Sequence, residues 1–298
     1  MAEGETTTTS SSTQSFVPTT FDKVAAPTPI KPFNDSSATP LTNGTAVIEV
    51  DAITVSTSAA DDLAYRALAD ICEITSSHNV RVVGGQMVNL LLTAFPVRQA
   101  VPRRTADADA AIETALAISG DAHHLLTRAG YEAQDGNSYT KGERQIDLLV
   151  PSRTGRFGTE QLGGRGFDAA PGLNVALAAD PITLQTSVTL TDGQVLKFSA
   201  RVPTVEFAIV IKTGSYDSRR ADRDLIDLHN LLWIVQSHPP AMIGGWKLDQ
   251  AQRGARLDTQ RALVGVAKSL RARSTRTNLD VDAEALVALI RRHVAAPN

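Results

Sequence analysis

The stretch Arg103–Ile112, "RRTADADAAI", sets two acids, Asp107 and Asp109, one residue apart among alanines. In a strand, residues i and i+2 leave the same face, so both carboxylates project together from a rigid element. Two like charges held that close are costly unless a cation lies between them. Magnesium suits the position, because it prefers oxygen ligands and binds through one or two carboxylates together with substrate phosphates. Taken alone, the same residues also read as a helix start, with Asp109 capping "AAIETALAI" and Asp107 standing in solvated loop.

The neighbouring sequence favours the first reading. Upstream, "VRVVGG" is a short apolar run that stops at Gly84 and Gly85, and the helical "QMVNLLLTAF" follows. Downstream, "ETALAISGDAHHLLTRAGY" reads as helix interrupted at Gly120, and "RQIDLLVP" as a strand with Asp147 inside it. A third acid in a neighbouring strand completes a site for two ions about 4 Å apart, the arrangement used for phosphoryl transfer.

Around this block the pattern is simpler. The spacing predicts a helix from Ala59, with Leu63, Ala67, Ile71 and Ile74 on one stripe, after a possible edge strand in "AVIEVDAITV". Residues 153 to 172 read as a Gly- and Arg-rich loop, in which Arg153, Arg156 and Arg165 lack the spacing of a phosphate-binding P-loop. "SVTLTDGQVLKFS" reads as a hairpin turning at Asp192-Gly193. "VPTVEFAIVIKTG" is ambiguous: its β-branched alternation suits a strand, and Pro203 in a first turn suits a helix. Residues beyond 239 read as helical, through "ALVGVAKSL" and "AEALVALIRRHV".

A second constellation sits in "RADRDLIDLHNLLWIV", where Leu225, Leu228, Leu232 and Val235 step at helical intervals. Asp224 falls inside that apolar arc and Asp227 at its edge, so each needs a partner or a function. Arg220, one turn earlier, is the partner expected for Asp224. Lys212 follows the apolar "AIVI" and emerges where a buried element ends.

Taken together these segments resemble the DNA polymerase β-like nucleotidyltransferases, and within them the AbiEii and MenT toxins. That branch shows a strand ending in two glycines, a helix, an Arg-x-Ser/Thr-x-Asp-x-Asp motif, a third Asp in a later strand, a lysine helix and Arg-x-x-Lys-Asp-x-x-Asp-Leu. Here they read "VVGGQM", "RTADAD" with Arg104, Thr105, Asp107 and Asp109, "QIDLLV" with Asp147, "IVIKTG" with Lys212, and "RADRDLIDL" with Arg220, Arg223, Asp224 and Asp227. The chain departs from the pattern at Gln86, where the family offers a hydroxyl, at the two alanines after Asp109, and at Arg223, which replaces a lysine.

The resemblance implies an α/β (α+β) polymerase β-like fold with a mixed sheet and a helical C-terminal region. It implies that Asp107 and Asp109 hold two Mg²⁺ ions, and that Asp147 binds the first and helps to deprotonate an acceptor hydroxyl. Lys212 and Arg223 would steady the triphosphate, oriented by Asp224 and Asp227. Gly84, Gly85, Gln86, Arg104, Thr105 and Arg220 complete the expected nucleotide site. The implied partners are an NTP, a tRNA 3′ end as acceptor and a cognate antitoxin. The rivals are an antibiotic-modifying small-molecule nucleotidyltransferase and a non-catalytic nucleotide- or RNA-binding relative.

Composition bounds these readings. The chain has 298 residues, a net charge of −3, and a single cysteine, Cys72, which excludes an internal disulfide and a Cys-based zinc site. No apolar run approaches membrane-spanning length, and "MAEGETTTTSSSTQS" lacks the basic and apolar regions of a signal peptide, so a cytoplasmic location with no membrane partner is expected. Ser, Thr and Pro make up 22 of the first 45 residues, which predicts a disordered tail, drawn as residues 1–58, before a catalytic domain over 59–238. Residues 239–298 hold ten Lys/Arg against five acids, with Lys268, Arg271, Arg273 and Arg276 close together, a pattern suited to a phosphate backbone.

Overall fold

The computed structural model describes residues 48–105, 107–134, 136–273 and 280–297. Residues 45–298 form one compact unit. The architecture is mixed α/β, and among the described residues the strands form two sheets with helices packed against them.

The smaller sheet runs β1 (Ile48–Val55), β9 (Ile182–Thr189), β10 (Val195–Val202). β1 lies parallel to β9, and the β9–β10 hairpin turns where Gly193 takes a φ of 82°. The tail drawn over residues 1–58 is corrected here, because 48–55 is a paired edge strand; residues 1–47 lie outside the described residues.

The larger sheet has the order β2 (Val80–Val82), β3 (Ala108–Ile112), β6 (Arg144–Pro151), β5 (Ser138–Lys141), β4 (Glu132–Ala133). β6 outlasts β5, and its second half pairs in parallel with β8 (Arg165–Ala170), which in turn pairs with β7 (Gly158–Leu162). β3 is antiparallel to β2 and parallel to β6. Its three alanines, 108, 110 and 111, are fully buried with α1 (Ala59–Ile74) and α2 (Gly84–Ala94) packed against the strand. Alanines that looked too small for a strand let these helices approach the sheet closely.

The segment 153–172 is a hairpin, not the expected loop. Gly163 and Gly164 both take positive φ, 56° and 80°, as the two-residue turn between β7 and β8 requires. Arg165 is structural: it donates to the carbonyls of Gln134 and Gly136 and stacks on Tyr139.

The ambiguous segment is α6 (Val205–Arg219), capped by Thr204, whose Oγ1 accepts from the Phe207 amide at 3.4 Å, with Pro203 just outside. Every residue from Val205 to Thr213 is buried, so the helix has no polar face from which a period could be read. In α1 the buried stripe is Ala64, Ala67, Leu68 and Ile71, turned slightly from the expected one. Gly120, at φ 77°, separates α3 (Thr114–Ser119) from α4 (Asp121–Arg128).

After α5 (Leu173–Ala178) and α6, α7 (Asp222–Ser237) packs against α2 and α6. The expected boundary at residue 239 is crossed by packing of α8 (Gly254–Arg273) on α6 and of α9 (Ala283–His293) on α7. Glu206, 3% exposed at the start of α6, accepts from Arg256 Nε of α8 at 2.6 Å and from the Lys247 amide. Among the described residues no helix is long and apolar enough to cross a membrane.

Candidate active site

The two glycines after β2 shape the floor of a cavity of about 370 Å³. Gly84 opens α2 with a φ of 66°, and a Cβ there would overlap Asp109 Oδ2. At Gly85 a Cβ would lie 2.6 Å from Arg103 Nη1 and 2.9 Å from Thr105 Cβ. Glycine is required at both because a carboxylate and a guanidinium stand where side chains would be.

β3 and β6 supply the acids. Their parallel register places Asp109 beside Asp147, and Asp107 lies two residues before Asp109, so each offers an oxygen and the three oxygens lie within 4.8 Å of one another. Among the described residues this is the only group with metal-ligating spacing. Thr105 Oγ1 donates to Asp107 Oδ1 at 2.7 Å, and Gln145 Nε2 to both oxygens of Asp147 at 3.2 Å. Burial first, then Asp107 and Asp147, push the Asp109 carboxyl up to about 7, with Lys212 and Arg103 opposing. An Asp109 that resists ionising beside two further acids fits a hard divalent cation, which removes the repulsion.

The opposite wall is helical and cationic. Lys212 of α6, with its side chain 3% exposed, places Nζ 2.7 Å from Asp227 Oδ2 of α7. Arg103 Nη1 reaches the same carboxylate at 2.9 Å and 3.2 Å. Asp224, fully buried, is held by two bonds of 2.7 Å from Arg219, the last residue of α6. Arg219, Arg223 and Arg104 also line the cavity.

Of the expected residues, Asp107, Asp109, Asp147, Lys212, Gly84, Gly85, Arg104, Thr105 and Arg223 meet at this cavity. Asp224 and Asp227 stand behind its wall and fix cations in place. Two expectations are corrected. Arg220 is not the partner of Asp224: it takes a left-handed turn at φ 50°, stacks on Tyr216 and pairs with the exposed Asp217. Gln86, 3% exposed, is absent from the lining, and the hydroxyl beside the glycines is that of Thr105.

Three residues of the site were missed in the sequence. Arg219 and Arg103 each sit in an Arg-Arg pair whose other member was chosen. For Arg103 a signal existed, since the spacing Arg-x-Thr-x-Asp-x-Asp counts back from Asp109 to 103. Asp168 of β8 lines the cavity beyond Asp147, its carboxyl raised by burial and by that neighbour; nothing in "GRGFDAA" marks it.

Arg273's side chain and Arg276, of the expected basic cluster, lie outside the described residues; Lys268 and Arg271 are exposed on α8. Cys72 packs against the core, where burial pushes its thiol up to about 12.

No family model and no curated protein matches the chain. Among solved structures it is similar to the antibiotic-resistance factor ANT(2'')-Ia, determined in solution, at 13% identity over 78% of this chain and 90% of that one, with a TM-score of 0.31. At that distance the function has to be argued from the geometry of the cavity.

Proposed function

We propose that the chain is a divalent-cation-dependent nucleotidyltransferase of the polymerase β-like kind, which moves a nucleoside monophosphate from an NTP to an acceptor hydroxyl. The observation that carries this is the cavity's division into two walls: three carboxylates at neighbouring strands, without ion-pair partners among the described residues, facing Lys and Arg side chains. That is the charge pattern of a metal–triphosphate, with acids toward the metal and cations toward the phosphates.

Magnesium, held by Asp107, Asp109 and Asp147, supplies charge neutralisation at the reacting phosphate. Asp147 stands next to Asp168 at the sheet side of the cavity and takes the proton of the acceptor hydroxyl. The acceptor oxygen bonds to the α-phosphorus, the bond to the bridging oxygen breaks, and pyrophosphate leaves. Lys212, fixed by Asp227, and Arg219, fixed by Asp224, meet the charge that collects on the leaving group.

We take the acceptor to be a tRNA 3′ end and the protein to be a toxin with a cognate antitoxin, two ions being bound. The support for these finer points is the order of motifs shared with the AbiEii and MenT toxins. Incubation with Mg²⁺, each labelled NTP and total tRNA is expected to give labelled tRNA and pyrophosphate. Label on a small hydroxylated antibiotic instead would identify a drug-modifying enzyme, and absence of pyrophosphate with every NTP and acceptor would leave only a binding protein.

A further inference from the structure

α6 carries two successive residues that line two different cavities. Lys212 lines the cavity of the carboxylates, and Thr213 lines a second one of about 640 Å³. Phe157 lines both, so they share a wall. The second cavity lies on the β8 side, between the β6–β7 loop, the start of α5 and α8. Across the sheet β3, β6 and β8 follow one another, so Asp109, Asp147 and Asp168 run toward the side on which this cavity lies. The second cavity therefore adjoins the carboxylate cavity on its Asp147 and Asp168 side.

Thr213 is unusual among the helical threonines. Thr93, Thr127 and Thr259 donate to the carbonyl four residues back, at 2.9, 2.9 and 2.8 Å, the usual local solution for a hydroxyl in a helix. Thr213, 2% exposed, makes no such bond, and among the described residues its Oγ1 has no partner. A buried hydroxyl left this way is destabilising, because it has lost water without gaining a partner. A bound ligand removes that cost by supplying the partner.

The lining describes the ligand. Phe157 offers a ring, and Thr213, Asn174 and Ser218 offer uncharged polar groups. The cavity's acids are already engaged, Asp217 with Arg220 at 2.6 Å and Asp258 with Arg261 at 3.8 Å. Arg156 is exposed at the rim without an ion pair among the described residues. A flat, uncharged ring with hydrogen-bonding edges and an attached phosphate matches this set, and that is a nucleotide.

We propose that the second cavity is the acceptor subsite, in which the base of the acceptor's terminal nucleotide lies against Phe157 and hydrogen-bonds to Thr213. This rests on the nucleotidyl transfer proposed above and assigns its nucleic-acid acceptor a place in the fold.

The test uses the full chain with Thr213→Val, which removes the hydroxyl and keeps the shape, and Phe157→Ala. Their melting temperatures report folding, and Thr213→Val is expected to melt no lower than wild type. Free nucleosides, without Mg²⁺, serve as probes that cannot engage the cationic wall, and saturation-transfer NMR reads their binding. At least one nucleoside is expected to bind wild type and to bind both variants about tenfold more weakly. With Mg²⁺ and NTP, the KM for tRNA is expected to rise by a similar factor in Thr213→Val, while the KM for NTP stays within about twofold. Equal nucleoside binding in wild type and variants overturns the proposal, as does a raised KM for NTP with that for tRNA unchanged, which would give the cavity to the donor's base. Nucleoside binding lost in Thr213→Val, in a protein that transfers nothing, would sink the transfer reading and the acceptor role together and leave a nucleoside site.

Discussion

The two walls of the active-site cavity use the same side chain in opposite ways. On the strand wall, Asp107, Asp109 and Asp147 face one another, and among the described residues no lysine or arginine forms an ion pair with them. On the helix wall, Asp224 and Asp227 are fully buried, and each is matched by a guanidinium, Asp227 by an ammonium as well. An acid with protein partners is already satisfied and serves the scaffold, whereas acids gathered without partners wait for something from outside. The side chain is the same in all five, and its surroundings separate ligands from struts.

The sharpest test removes a strut. Asp227→Ala leaves the buried Lys212 and the half-buried Arg103 without their counter-charge, and breaking a buried pair from one side costs about 3–5 kcal/mol. We expect a large fall in melting temperature with or without Mg²⁺, and a melt unchanged from wild type would erase the distinction between the walls.

Removing a ligand is expected to do the reverse. Asp109→Asn should lower nucleotidyl transfer by about 10³-fold, a loss of electrostatic stabilisation at the reacting phosphate, yet make the metal-free protein more stable at high pH. The folded carboxyl is raised from an ordinary 3.8 to about 7. Its contribution is therefore fully present at low pH and is lost as pH rises from about 4 through 7. Asparagine does not ionise, so denaturation at pH 8 without Mg²⁺ should favour the variant, by a margin on the order of a few kcal/mol. The gap should close at pH 4 and on adding Mg²⁺. A variant less stable than wild type at every pH would make Asp109 a strut.

Gly84→Ala joins the two tests: it forces a side chain into the positive-φ position against Asp109, so weaker Mg²⁺ binding by calorimetry is expected along with about 1–3 kcal/mol of strain. The smallest effect belongs to Arg220→Gly, which suits the left-handed turn and removes an exposed ion pair and a stacking contact on Tyr216. Its stability and turnover should stay near wild type, while Arg219→Ala, freeing Asp224, should lower both.

What was legible in the chain follows the same division. The strand wall could be read because its geometry is local: two glycines, two acids at i and i+2, and an acid in a later apolar run survive as patterns along the sequence. The helix wall could be read only in part, because its pairings join Arg103 to Asp227 and Lys212 to Asp227, residues brought together by the fold. In each Arg-Arg pair a shift of one residue turns the side chain by about 100° on a helix, or to the opposite face of an extended segment, and that decides which arginine meets the acid. The β7–β8 hairpin escaped notice because glycines and arginines mask its short alternation, and α6 was ambiguous because burial on all sides erased its period.

The bond from Glu206 to Arg256 and to the Lys247 amide bears on the order in which the protein comes into being. A ribosome delivers α6 with its lysine roughly fifty residues before the partners that cover its first turn, and nascent chains fold from the N-terminal side as they emerge. Until that later segment leaves the exit tunnel, the helix that presents Lys212 has an uncovered carboxylate at its base and an incomplete support. The proposed activity would therefore be acquired late in synthesis, after the carboxylate wall has been made, and a chain stalled before α8 would carry the three carboxylates without a finished cationic wall.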